Sequence, residues 1–480
     1  MNKDIINITS ELEVFFLKIG IDKLKAIGCE EIKKEVFIEV DDKIAFDLVG
    51  YIKGEATVGV DISEGGSEKG VGILAKLSQV DQINYYGFFN LEREEWNWYQ
   101  LIGGNISTLN KMPILQEVKE SRIDEITKWI EEVLDRIYSI ESFSILELFI
   151  ELYKLVLIKL ELDNGNLEAV DNRFTIDNIK DLYCELIRKD GNKFEGDIKL
   201  SSKALKEVVD EFNNIDFKNV DRVELMKILD SQLFENKSKA FGEYFLPQEI
   251  SNSMRDIFED YFEKISNIFD GVARSGRLLT DAKVINNDIK VFGMDNNHRL
   301  INLAELRSLI LGQDNKFLVG DTLKLRSDKS QLEGLTDGLD LILSSPMFGL
   351  KIRDKDLLSE YELGQGRSTK IEALYLELYQ SLLKEGGYLG IVLPDGILTN
   401  SRDKDIRGFI LDKFILKAVI SLPEGIYRPY TAINTSLVIV KNKGFEDEKQ
   451  DEVFMATPEN VEELKDVILE LKRWGGIFGG

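Results

Sequence analysis

Asp340-Leu-Ile-Leu-Ser-Ser-Pro-Met-Phe-Gly349 is the stretch that decides how the chain reads. A short apolar run bounded by turn residues reads as a buried strand, which puts Ser345, Pro346, Met347 and Phe348 at its carboxyl end. Those residue types suit one chemistry. An exocyclic base amine is a poor nucleophile because its lone pair is delocalised into the ring. A side-chain acceptor at Ser345 and the carbonyl of Pro346 can both take hydrogen bonds from such an amine and favour a pyramidal geometry. Phe348 can stack on a base turned out of a duplex. The same residues also suit a plain strand-to-turn junction, where a proline is common.

The wider composition narrows the choice. A chain of 480 residues exceeds one ordinary domain. An apolar share of 43% is enough for sizeable cores. The longest apolar stretch, 143–160, is broken by Glu147, Glu151, Lys154 and Lys159, which fits an amphipathic helix and no membrane span. The start of the chain lacks the basic-then-apolar pattern of a signal peptide. With only Cys29 and Cys184, a disulfide framework is not expected, and a reducing, cytoplasmic setting is. The single histidine, His298, argues against His-based metal sites and Ser-His-Asp chemistry, so no metal is expected. A net charge of −25 opposes tight duplex binding by this chain alone. A DNA role would need another subunit to supply affinity and sequence reading.

Periodicity divides the chain into three expected domains. Residues 1–104 read as a small α/β domain, with a helix at 10–26, strands at 34–40, 45–52, 56–62 and 85–89, a loop at 64–70, a short helix at 72–81, and a turn and edge strand over 90–99. Residues 105–239 read as helical, over 122–138, 144–162, 176–189, 202–213 and 223–235. Residues 240–480 alternate strands (265–269, 290–294, 316–319, 339–343, 388–393, 416–421, 436–441) with helices (248–261, 299–311, 371–384, 405–413), followed by a helix at 460–474. The fold class is therefore α/β: a doubly wound, mostly parallel sheet preceded by a helical domain and a small N-terminal α/β domain.

In this last part the strand ends carry residues able to touch a nucleoside cofactor. Asp270 opens a glycine-containing turn that runs to Gly276, and glycine lets backbone approach a ligand. Asp295 closes the second strand, where a carboxylate can accept ribose hydroxyls. Asp321 follows the third and can accept from an adenine amine. Each acid taken singly also suits a helix cap. Three in order, followed by Ser345-Pro346-Met347-Phe348, favour the cofactor.

Residues 223–441 resemble the modification subunit of type I restriction-modification systems, a family of adenine-N6 DNA methyltransferases. Phe241-Gly-Glu-Tyr-Phe-Leu-Pro-Gln-Glu-Ile250 is similar to the family's Gly-(Gln/Glu)-Phe-Tyr-Thr-Pro segment, and Ile268-Phe-Asp-Gly-Val-Ala-Arg-Ser-Gly-Arg-Leu-Leu279 to its Asp-Pro-Ala-Cys-Gly-Ser-Gly-Gly-Phe-Leu loop. Val291-Phe-Gly-Met-Asp295 and Val319-Gly-Asp-Thr-Leu323 resemble its cofactor strands. Residues 386–398, 420–430 and 434–436 resemble its late motifs. The resemblance implies a Rossmann-like methyltransferase fold and S-adenosylmethionine as cofactor. The cofactor would be held by Tyr244, Pro247, Asp270, Gly276, Asp295 and Asp321, with Ser345, Pro346 and Phe348 on the target amine. It implies DNA as partner through a separate specificity subunit, and restriction or defence subunits in a hetero-oligomer.

The departures carry equal weight. Ser345 and Met347 stand where the family has Asn and Pro, Leu246 where it has Thr, and Arg274 and Arg277 where it has glycines. Both arginines are expected to crowd S-adenosylmethionine. Two readings stay open: a DNA adenine-N6 methyltransferase subunit, and a catalytically inactive scaffold or sensor in a restriction or phage-defence complex. Tyr427, Arg428 and Tyr430 lie where the family's loop faces DNA, and they equally suit a turn with packed tyrosines. The N-terminal part bears a fainter resemblance to a nuclease-like domain, through Asp47 and Val60-Asp61-Ile62-Ser63. Ser63 replaces the lysine that two-metal cleavage would use, which favours a small interaction domain.

Overall fold

The structure is a computed structural model. It describes residues 31–39, 43–52, 55–63, 85–90, 95–102, 105–109, 115–169, 173–189, 197–218, 220–233, 246–328, 330, 338–366, 368–428, 431–443, 449–450, 452–475 and 477–478, with side chains from Ile123 onward and at Tyr86. The chain forms two compact units, residues 1–126 and 127–480.

The first unit holds a six-stranded sheet: β1 (Glu31–Glu39), β2 (Lys43–Ile52), β3 (Glu55–Ser63), β4 (Tyr85–Asn90), β5 (Glu95–Ile102) and β6 (Asn105–Leu109), paired in that order. Only β3 and β4 run parallel, and a parallel step needs a longer connection than a hairpin turn; residues 64–84 provide the length. The edge strand expected over 90–99 is interior, because β6 pairs along its far side and carries the sheet past residue 104. Asp47 lies on β2 and Asp61 on the neighbouring β3. The helices expected at 10–26 and 72–81 and the loop at 64–70 lie outside the described residues.

Helix α1 (Leu115–Ile140) leads into α2 (Ile145–Asp163), α3 (Ile179–Lys189), α4 (Ser202–Asn214) and α5 (Arg222–Ser231). A capping box opens α2: Ser144 Oγ accepts from the Glu147 amide, and Glu147 accepts from the Ser144 amide at 3.0 Å. The amphipathic pattern expected here gives way to burial on nearly every face. Its lysines are buried as pairs, Lys154 with Glu151 and Lys159 with Asp163, each at 2.6 Å. Among the described residues no helix is long and apolar enough to cross a membrane.

The wound sheet follows. Its elements are α6 (Gln248–Phe262), β7 (Asn267–Asp270), α7 (Arg277–Ile285), β8 (Lys290–Asp295), α8 (His298–Ile310), β9 (Lys316–Val319), β10 (Leu339–Ser344), β11 (Lys351–Ile352), α9 (Lys355–Ser359), β12 (Thr369–Lys370), α10 (Ile371–Leu382), β13 (Leu383–Pro394), α11 (Asp395–Thr399), α12 (Lys404–Lys413), β14 (Phe414–Ser421), β15 (Thr435–Asn442), β16 (Phe454–Ala456) and α13 (Val461–Trp474). The strand order is β16-β14-β15-β13-β10-β7-β8-β9. Only β15 runs against its neighbours; β11 and β12 form a separate hairpin. Residues alternate between two cores. Ile268, Leu341 and Leu343 join one, and Phe269 and Ile342 the other. Burial on both faces explains why the central strands are continuous apolar runs.

Two details set up the site. The first strand of this sheet begins two residues later than expected and ends on Asp270, so the carboxylate is its last residue. Strand order reverses between β7 and β10, the switch point where ligands of wound sheets bind. Across the helices of this unit, Arg307 on α8 donates to Asp230 on α5, to Asp281 at 3.0 Å and to Thr280 at 2.6 Å. A buried cation is held only when its donors are matched in this way.

Candidate cofactor and target-base site

The switch point is built from the ends of β7, β8 and β10. Asp270 is buried, and its Oδ1 accepts from Ser344 Oγ at 2.7 Å and from the Val272 amide at 2.9 Å. Desolvation pushes its carboxyl up to about 6, against the lowering effect of those hydrogen bonds. Ser344 Oγ also lies 2.9 Å from the Tyr379 hydroxyl, so serine bridges a carboxylate and a tyrosine under the cleft floor. Asp295 is buried and serves the turns on both sides: Oδ1 accepts from the Asn297 amide at 2.9 Å and Oδ2 from the Arg274 amide at 3.1 Å. Asp321 is exposed and caps a short 3-10 turn, accepting from the Leu323 amide. All three carboxylates act on one group: burial, then Asp295, Asp321 and Asp270 in turn, raise the Tyr375 hydroxyl.

Gly276 is held by geometry. Its φ is +69°, and a Cβ there would lie 2.7 Å from Phe317 and 2.8 Å from Ala304. It precedes α7 in a tight turn closed by its amide on the Ala273 carbonyl at 2.7 Å. Pro247 lies just before α6, and its carbonyl accepts from Ile250 and Ser251. Tyr244 lies outside the described residues.

At the end of β10, Ser345 is buried with Oγ 3.2 Å from the Tyr427 hydroxyl. Pro346 is buried, Met347 exposed and Phe348 half-buried. The Phe348 ring meets Tyr427 edge-on, with centroids 5.1 Å apart. Gly349 donates to Glu372 at 2.7 Å, which pins the turn after the motif. Of the two settings open for the 427–430 cluster, Tyr427 takes packing, at 1% exposure; Arg428 is exposed, and Tyr430 lies outside the described residues.

Two arginines occupy positions where the resemblance has glycine, and they do different things. Arg277 pairs with Asp281 at 3.5 Å and with Asp230 at 3.7 Å. Arg274 is 6% exposed, has φ +49°, and donates from Nη2 to the Ser345 carbonyl at 2.9 Å. A left-handed backbone costs a non-glycine residue on the order of 1 kcal/mol, so its surroundings must hold it there. The cavity bounded by Leu246, Ser251, Asp270, Arg274 and Ser345 has a volume of about 30 Å³.

Asp270 and Ser345 thus line one small cavity with Arg274 and Arg277; Asp295 meets it through the Arg274 amide, while Gly276, Pro346 and Phe348 adjoin its lining residues along the chain and Asp321 is exposed. The sequence reading missed Ser344 and Tyr379. The hydroxyl before Ser345 was the available signal for the first; nothing local marked the second, which reaches the site from α10.

Strand order, a carboxylate at each of the first strand ends and a proline-bearing turn after β10 define a methyltransferase-type wound sheet. The chain belongs to the N-6 DNA methylase family, which matches residues 228–471. The chain is 23% identical over 252 residues to the type I restriction enzyme MpnII methylase subunit of Mycoplasma pneumoniae, covering 49% of this chain and 46% of that one. It is 24% identical over 250 residues to the EcoEI methylase subunit of Escherichia coli, covering 49% and 50%. The chain therefore spans about half the length of these curated relatives. Among solved structures, its fold is shared with a type I restriction-modification methyltransferase subunit from Streptococcus thermophilus (16% identity, TM-score 0.53, 73% and 93% covered). It is also shared with a Listeria monocytogenes protein assigned as a class I S-adenosylmethionine-dependent methyltransferase (20%, 0.54, 73% and 99%). The chain is type I methylase-subunit-like.

Proposed function

We propose that the chain is the methylase-type subunit of a restriction-modification assembly, holding a base amine of DNA at the end of β10 without transferring a methyl group in the arrangement described. A separate specificity subunit would read the sequence, and restriction or defence subunits would complete the hetero-oligomer. The observation that carries the reading is the crossing of the cofactor crevice by Arg274, 2.9 Å from the Ser345 carbonyl. A cavity of about 30 Å³ admits a water molecule, whereas nucleoside-sized ligands need hundreds of Å³. S-adenosylmethionine would have to displace the Arg274 side chain to enter the cavity between Asp270 and Ser345.

A second reading, methyl transfer to adenine N6, draws support from Asp295 at the end of β8 and from Pro346 at the target position. The two separate in one assay. The full chain, purified with its native partners, is incubated with adenine-containing duplex and S-adenosylmethionine carrying a tritiated methyl group. The first reading predicts no label in DNA above background. Label in N6-methyladenine that is lost in Ser345→Ala and Phe348→Ala supports the second and overturns the first.

A further inference from the structure

We propose that Arg274 is the chain's own occupant of its cofactor cleft, a tethered cation sitting where a cationic nucleoside ligand would otherwise lie. The inference rests on reading the crevice as a methylase cofactor site, and it names what closes that site.

Backbone, side chain and direction agree. Among the described residues Arg274 is the non-glycine residue with positive φ, a conformation that persists only where neighbours over-determine it. Here they do. Ala273 donates to the Met294 carbonyl at 3.0 Å, Arg274 to Asp295 at 3.1 Å, and Gly276 back to Ala273 at 2.7 Å. The side chain is a long cation taken out of water, which is costly without a partner; Nη2 finds one in the Ser345 carbonyl. That bond joins the loop after β7 to the end of β10, across the crevice at which strand order reverses. Arg277 provides an internal comparison. It stands three residues on, is equally buried, and is ion-paired with Asp230 and Asp281. Both arginines line the small cavity, and the bond from Arg274 reaches the end of β10.

The electrostatics explain why a cation rests there. Asp270 and Asp295 are buried carboxylates beside the loop, and a carbonyl closes the far wall. S-adenosylmethionine would bring a sulfonium charge to such a place; a guanidinium brings the same sign from within. A tethered group competes at an effective concentration in about the millimolar range, so an external ligand must displace Arg274 before it binds.

Titration calorimetry of the full chain with S-adenosylmethionine tests this. The wild-type chain should give no saturable heat up to about 1 mM, while Arg274→Gly and Arg274→Ala should bind in the micromolar range, a gain of about 100-fold or more. Micromolar binding by the wild type overturns the proposal. So does the absence of any gain in both variants when each still melts cooperatively. Should neither variant fold, the wild type decides alone: a raised melting temperature in about 1 mM ligand overturns the proposal, and an unchanged one supports it. Absence of a gain in folded variants sinks the Arg274 assignment only. Methyl label appearing in DNA from the wild-type chain sinks the non-transferring reading as well.

Discussion

Asp270 shows at the scale of one residue how much the crevice depends on burial. Its carboxyl is pushed from the ordinary 3.8 to about 6 by desolvation. The folded chain therefore holds this proton more tightly than the unfolded chain, so stability rises as pH falls through 6 toward 4, and the charged form is a burden above 6. Asp270→Asn keeps both acceptor bonds, from Ser344 and Val272, and removes the charge. It should be more stable than wild type by up to about 3 kcal/mol near pH 8, with the gap closing by about pH 4. Urea midpoints at the two pH values check this; a gap that stays constant with pH would count against it. Gly276 is the other residue with a sharp expectation. Gly276→Ala drives a Cβ into Phe317 and Ala304 at positive φ and should cost about 2 kcal/mol or more in thermal melting. Asp270, Gly276, Asp295 and Ser345 were readable from the sequence because each ends a strand or makes a turn. Arg274 was readable as a departure, but its bond to Ser345 was not, since 71 residues separate the two. Arg277, also expected to crowd the cofactor, lines the same small cavity as Arg274, and its pairing with Asp230 and Asp281 makes it a tie between helices as well.

At the scale of elements, that tie joins α5, α7 and α8. Asp230 receives Arg307 and lies near Arg277, at 2% exposure. Removing one partner of a buried network strands the others without compensation. Asp230→Ala should lower unfolding stability by about 3–5 kcal/mol, and Asp230→Asn by less; a loss under about 1 kcal/mol for the alanine variant would contradict the network's importance. Helices and strands of residues 127–480 were legible because their periodicities of 3.6 and two-sided burial are strong over long runs. Boundaries were less so. The first wound strand moved by up to two residues to end on Asp270, and β6 and β16 escaped notice because five and three residues carry too little pattern. The burial of α2 on nearly every face also lay beyond a periodicity reading, because its paired charges look solvated in sequence.

For the whole molecule, a net charge of −25 sets the terms of DNA contact. Without partners the chain should bind duplex more weakly than about 10 μM at about 0.15 M salt; submicromolar affinity in a fluorescence anisotropy titration would show that it carries its own DNA surface. The alternating pattern announced a wound, mostly parallel sheet but not the order β16-β14-β15-β13-β10-β7-β8-β9, which puts the switch point between β7 and β10. What alternation could not convey is that the crevice is filled from within. The most direct measurement is a crystal structure of Arg274→Gly soaked with S-adenosylhomocysteine. Ligand density running along the ends of β7 and β8, within hydrogen-bond reach of Asp295 and beside Ser345, is the expected result. A well-ordered, empty crevice in that variant, or ligand bound elsewhere on the chain, would contradict the account.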